Sequence, residues 1–119
     1  MATVRLKNIR KSYDRGKTWA VNNVSLDIPD GTFMALLGPS GCGKSSTMRM
    51  IAGLEELSQG EILFDDHLMN RVTPEHRNVA MVFETYALYP TLTVYENLAF
   101  PLRAAGKPEA EIRQRVDGI

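Results

Sequence analysis

"TFMALLGPSGCGKSS", residues 32–46, decides how this 119-residue chain is read. Its first half is apolar without alternation and runs straight into glycine. That pattern predicts a central strand buried on both faces, as in a parallel α/β sheet. Its second half satisfies G-x-x-x-x-G-K-[ST] through Gly38, Gly43, Lys44 and Ser45. A strand before the motif and a helix after it form the context the motif requires. Glycines adopt backbone torsions closed to other residues, so successive N–H groups can turn inward around an anion. The new helix adds the positive end of its dipole at the same point. Gly38, Pro39, Ser40, Gly41, Cys42, Gly43, Lys44, Ser45 and Ser46 are therefore expected to line a phosphate site. Lys44 directs a full charge toward the β- and γ-phosphates, and the Ser45 hydroxyl is a Mg²⁺ ligand. Cys42 reads either as a small residue suited to a crowded turn or as a reactive thiol in an electropositive setting.

Outward from this stretch, the elements alternate in type. Val4, Leu6 and Ile9 in "TVRLKNI" have the look of a half-buried strand. "VNNVSLDI" is another, closed by the turn Pro29-Asp30-Gly31. A helix is expected from Lys44, carrying Met48, Ile51 and Ala52 inward and ending at Gly53. "EILF" is a short strand with a turn at Asp65-Asp66, and "NVAMVF" (Asn78 to Phe83) is a second buried strand. Thr93 and Glu96 have capping-box spacing, so a helix begins there, and Pro101 should kink or split it. Gly106, Lys107 and Pro108 punctuate before a last helix over Glu109 to Val116. No internal repeat is present, and the final residues run on in helix-like sequence, as if the chain were cut rather than finished.

Bulk properties bound the function. Apolar residues make up 44% and charged residues 24% of the chain, an ordinary globular composition with room for one domain. Fourteen basic and fourteen acidic side chains cancel, which leaves no global field for nucleic acid or acidic lipid. The locally basic start (Arg5, Lys7, Arg10, Lys11, Arg15, Lys17) reads as the solvated face of strands and turns. A lone cysteine excludes an internal disulfide and fits a reducing compartment. No signal peptide is visible, and the longest aliphatic run, Phe33 to Leu37, is far below the roughly 18 residues of a membrane span. The expected location is the cytoplasm, with any membrane contact made through a partner.

The loop alone does not separate kinases, GTPases and transport ATPases. Its surroundings do. "GPSGCGKSS", the upstream "KSYD" and "AVNNVSLDI", and the downstream "RNVAMVFETYALYPTLTVYENLAFPLR" together resemble ATP-binding cassette (ABC) transporter ATPases, closest to the ATPase subunits of maltose-type sugar importers. The resemblance spans nearly the whole chain, and Arg77 to Arg103 is its most specific part. It implies an α/β fold with a P-loop NTPase core of ABC type, truncated, with an antiparallel β subdomain and the start of a helical subdomain. By the same resemblance residues 1–119 are a partial nucleotide-binding domain, with the phosphate loop at 38–45, a Q-loop region at 83–92 and the helical subdomain starting at 93–119. It further implies that Tyr13 stacks on adenine with Val21 beside it, a contact worth about 1–3 kcal/mol. Trp19 is expected to pack instead. "YALYP", Tyr86 to Pro90, would face transmembrane permease subunits through the 84–92 region, and the full-length family forms homodimers.

One position departs from the family. Where it carries a glutamine that contacts Mg²⁺ and the attacking water, this chain has Glu84. A carboxylate ligates Mg²⁺ at least as well, but its charge facing a γ-phosphate at about 4 Å costs on the order of 1–4 kcal/mol. Glu84 is thus a catalytic and metal-site candidate whose substitution puts hydrolysis in doubt. Asp65 and Asp66 after "ILF" imitate an acidic strand end but read as a turn. No "LSGGQ"-like signature, catalytic glutamate after an apolar strand or switch histidine is present, and His67 and His76 lie in loop-like sequence. The expectation is ATP and Mg²⁺ binding, with hydrolysis only in a complete dimeric protein. A nonproductive truncated product, a non-hydrolysing interaction module for a membrane partner and a small nucleotide kinase stay open as alternatives.

Overall fold

A computed structural model describes residues 2–119, which form two compact units divided between Met81 and Val82. The first unit holds strands β1 (Val4–Lys11) and β2 (Val21–Ile28), helix α1 (Lys44–Ala52), strands β3 (Gln59–Phe64) and β4 (His67–Leu68), and a short 3₁₀ turn, Pro74–His76. Its sheet is wholly antiparallel in the order β2-β1-β3-β4.

Strict alternation would put Leu6 and Ile9 on opposite faces, since they are three positions apart. Both are nevertheless buried in one cluster with Val21, Met50, Ile62 and Met69. The reason is Asn8, which takes a left-handed conformation (φ 47°) and inserts one extra residue into β1. Asparagine tolerates that region better than branched residues. The Ser25 hydroxyl holds the bulge by accepting from the Asn8 N–H at 2.9 Å. On the other side Gly60 meets the bulge so closely that a Cβ there would lie 2.5 Å from the Asn8 carbonyl oxygen. Asp65 and Asp66 both have positive φ, as a tight hairpin turn requires, so the turn reading of this acidic pair holds.

Helix α1 begins and ends as expected, with Gly53 left-handed at its C-terminus. Its inward stripe differs: Thr47 and Met50 are buried and Ile51 is half-buried, while Met48 is exposed. The stripe runs i, i+3, i+4 from Thr47, which turns position 48 outward.

The two stretches read as buried central strands form no strand. Residues 32–38 and 78–83 have no ladder partner among the described residues, and Phe33 and Leu37 are 95% and 90% exposed. A parallel strand takes every ladder hydrogen bond from its neighbours, and the four antiparallel strands bond only one another. Apolar composition alone cannot hold such a strand together.

The second unit consists of helices α2 (Val94–Ala104) and α3 (Glu109–Asp117) with the segment leading into them. The Thr93–Glu96 capping box is formed in both directions, at 3.1 and 2.8 Å. The Thr93 backbone N–H, and then its side chain, hold the Glu96 carboxyl below the usual carboxylate range. Pro101 does not split α2, which runs through it. Proline costs one ladder bond, from the position four residues earlier, and the α2–α3 core of Ala99, Ile112 and Val116 with Tyr95 and Leu102 offsets that loss.

Candidate functional site

Residues 38–46 fold as a cradle at the head of α1. Gly41 (φ 81°) and Gly43 (φ 87°) both take left-handed torsions. At Gly43 the requirement is absolute in space as well, because a Cβ would run into the Ala20 carbonyl oxygen and lie 3.0 Å from Val21 Cγ2. Buried Val21 thus shapes the loop from behind. A cavity of about 380 Å³ opens there, lined by Ala20 and by residues 40–46. That size falls within the roughly 300–1,000 Å³ typical of ligand sites.

The electrostatics point to an anion. No side chain caps α1, and no acidic residue lies in its first turn. The N–H groups of Lys44, Ser45 and Ser46 open the helix and have no acceptor within it, while the Thr47 N–H already bonds Gly43 O at 2.9 Å. Thr47 Oγ1 donates to the same carbonyl at 2.8 Å and locks the loop-to-helix junction. Lys44 Nζ donates to the carbonyl oxygens of Gly38 and, at 3.0 Å, Pro39, and lies 3.6 Å from Cys42 Sγ. The ammonium is folded back on its own loop, at the position where phosphate oxygens could replace those carbonyls. Cys42 is exposed within the cradle, and a Cβ at Gly38 would meet its sulfur at 2.6 Å.

Tyr13 stands beside the cradle. Its ring is 60% exposed, and its hydroxyl lies 3.0 Å from Ser46 Oγ, so strand β1's exit and the first turn of α1 are tied together. Lys11 Nζ sits over the ring, 5.0 Å from its centroid. The turn carrying Tyr13 is closed by Asp14, which accepts from the Thr18 hydroxyl (2.6 Å), the Thr18 N–H (2.8 Å) and the Ser12 hydroxyl (2.8 Å). These bonds, the Thr18 hydroxyl first, pull the Asp14 carboxyl down to about 2. Trp19 packs under Arg10, whose guanidinium carbon is 5.3 Å from the ring. The sequence reading placed Lys11 on a solvated basic face, whereas its side chain is only 13% exposed, and it did not single out Asp14. The spacing S-x-D-x-x-x-T carries a signal for an Asp-closed turn, whereas nothing marks Lys11.

Arg77 was also missed. It is buried, and its guanidinium donates to the carbonyls of Val72 (2.7 Å), Met50 (3.0 Å), Ile51 (3.1 Å) and Met69 (2.6 Å). Burial holds its pKa below the ordinary arginine range. A cation at the last carbonyls of α1 also complements that helix's negative end.

Ser45 presents an exposed hydroxyl in the first turn of α1. Glu84 is exposed and belongs to the second unit, as do the exposed aromatics Tyr86 and Tyr89. Asp65 and Asp66 serve the hairpin turn, and His67 and His76 are exposed. Among the described residues no three His, Cys, Asp or Glu side chains cluster as a metal site. Among the described residues no helix is long and apolar enough to cross a membrane.

The family described as "ABC transporter" matches residues 21–119. The osmoprotective compounds uptake ATP-binding protein GgtA of Synechocystis sp. is 51% identical over 116 residues, covering 98% of this chain and 31% of that protein. The lactose transport ATP-binding protein LacK of Rhizobium radiobacter is 52% identical, and the sn-glycerol-3-phosphate import ATP-binding protein UgpC of Bordetella pertussis 46%; each is covered to 32%. The chain thus spans about a third of the length of these relatives. A solved ATP-binding cassette, a dimer in a post-hydrolysis state bound to ADP and Pi, superimposes with TM-score 0.79 at 33% identity, over 95% of this chain and 53% of that one.

Proposed function

Since the chain belongs to the ABC transporter family, we propose that it is the nucleotide-binding part of the ATP-binding subunit of an importer, and that its cradle holds the triphosphate of ATP. One observation carries this reading: the left-handed loop at Gly41 and Gly43 opens the acceptor-free start of α1 directly beside Lys44. Binding exchanges the Lys44 contacts to Gly38 O and Pro39 O for phosphate oxygens, while the helix N–H groups of residues 44–46 find acceptors. Tyr13 receives the base on its exposed ring, with Val21 fixing the loop behind it. Ser45 is the oxygen ligand the cradle offers to a Mg²⁺ carried on the phosphates. Hard oxygens suit that ion, which commonly takes only one or two protein ligands beside substrate phosphates.

Relatives named for uptake of osmoprotective compounds, lactose and sn-glycerol-3-phosphate support uptake of carbohydrates and osmolytes as the process served. In this reading residues 84–92 dock on permease subunits at the cytoplasmic face of the membrane, the complete protein acts as a homodimer, and hydrolysis belongs to that assembly. Residues 93–119 then begin its helical subdomain.

Isothermal titration with Mg-ATP tests the reading. The 119-residue chain should bind, and Lys44→Ala and Tyr13→Ala should each lower the affinity about tenfold or more. Folded variants that bind as tightly as the parent would refute the assignment.

A further inference from the structure

We propose that Lys11 is a positioning residue for the nucleotide base: its ammonium backs one face of the Tyr13 ring and sets the other face toward the ligand. The inference rests on Tyr13 being the base platform. Lys11 ends β1, and its side chain is only 13% exposed. Nζ donates to Glu56 O at 2.7 Å, lies 3.5 Å from Glu55 Oε2, and stands 5.0 Å from the Tyr13 centroid. A lysine so enclosed is rare unless its charge is answered. Here a carboxylate, a carbonyl and a ring face answer it together. Glu55 and Glu56 belong to the turn that follows α1, and the Tyr13 hydroxyl reaches Ser46 in the first turn of that same helix. The ring is therefore held directly to the helix that carries the phosphate cradle and, through Lys11, to the turn that follows that helix. With one face occupied by the cation and the hydroxyl tethered, a single face is left for stacking, at a fixed distance from the phosphates. Asp14 closes the 12–18 turn from the other side and restrains the ring's backbone.

A plain tether between β1 and the α1–β3 turn would have the same contacts but a different consequence. Loosening a tether weakens every ligand alike. Loosening a base platform weakens only ligands that have a base. Isothermal titration of the 119-residue chain with ATP and with inorganic tripolyphosphate, which has phosphates and no base, separates the two. Lys11→Met should lower ATP affinity about three- to tenfold and leave tripolyphosphate affinity unchanged, and Lys11→Arg should restore ATP binding. Glu55→Gln, which removes the carboxylate charge but keeps the ammonium and its bond to Glu56 O, should give a smaller loss of the same selective kind and serves should Lys11→Met fail to fold. Equal losses on both ligands, or no loss of ATP affinity, overturn the proposal. Tyr13→Ala runs in parallel: if it leaves ATP binding intact, the platform itself is wrong, whereas a damaging Tyr13→Ala beside silent Lys11 and Glu55 variants overturns only the role of Lys11.

Discussion

Arg77 offers the sharpest test of how the cradle is supported. Arg77→Met keeps much of the apolar stem and deletes the guanidinium. Four carbonyls then lose a donor, but not equally. Met50 O still accepts from the Gly53 N–H and Met69 O from the Val72 N–H. Ile51 O and Val72 O have no other donor among the described residues. A buried polar group stripped of its partner costs about 1–3 kcal/mol, so two of them set a range of about 2–6 kcal/mol. A cavity of about 590 Å³ lined in part by Ile51, Met69 and Arg77 leaves room for water beside Ile51, which favours the low end. Relief of the guanidinium's own desolvation works in the same direction. The expected loss is about 2–3 kcal/mol. Urea unfolding followed by Trp19 fluorescence reads this unit, because Trp19 is the only tryptophan in the chain. With a slope near 1 kcal/mol/M, the midpoint should fall by about 2–3 M. Arg77→Lys should fall by about half as much, since a single ammonium cannot span four acceptors. An unchanged midpoint for Arg77→Met would refute the claim that this residue secures the C-terminal end of α1.

Two further outcomes follow from the site's geometry. Gly43→Ala must displace either the Ala20 carbonyl or the start of α1 and adds strain of about 1–3 kcal/mol at φ 87°, so ATP affinity by titration should drop at least tenfold. The Asp14 carboxyl, held at about 2 against an ordinary 3.8, stabilises the folded turn fully above the ordinary value and loses that contribution as pH falls from about 3.8 to 2. The stability gap between the parent and Asp14→Asn should therefore be constant above pH 4 and close across that window. A gap that persists at pH 2 would mean the hydrogen bonds are not to the ionised form.

What was legible in the sequence divides along a physical line. Local geometry was legible: the left-handed glycine loop before α1, the Asp65-Asp66 turn and the Thr93–Glu96 box each depend on residues a few positions apart, and each is formed. Side-chain partners distant in sequence were not. Arg77 meets carbonyls 26 and 27 residues away, and Lys11 meets Glu55 and Glu56 across the sheet. An arginine in a loop carries no sign of whether carbonyls will converge on it, and a basic residue at a strand's end reads as surface until the turn opposite is known. The bulge at Asn8 lies between these cases. Its mark was the odd spacing of Leu6 and Ile9, an exception to period two that only a left-handed residue between them reconciles.

The two apolar stretches show where composition misleads. A run such as Phe33 to Leu37 states that burial is favoured, not what supplies it. Fully burying a side chain of this kind is worth about 1.5–3 kcal/mol, but fixing each residue's backbone in one extended conformation costs about 1–2 kcal/mol. With neither ladder bonds nor a packed face, the second quantity is unopposed, and Phe33, Leu37 and Val82 remain exposed. α1, next in the chain, does not depend on that sheet to form, because Met50 and Ile51 pack on the antiparallel strands and Arg77 secures its end. The cradle is accordingly carried by contacts that are complete within the first unit, and this is why nucleotide binding can be tested on residues 1–119.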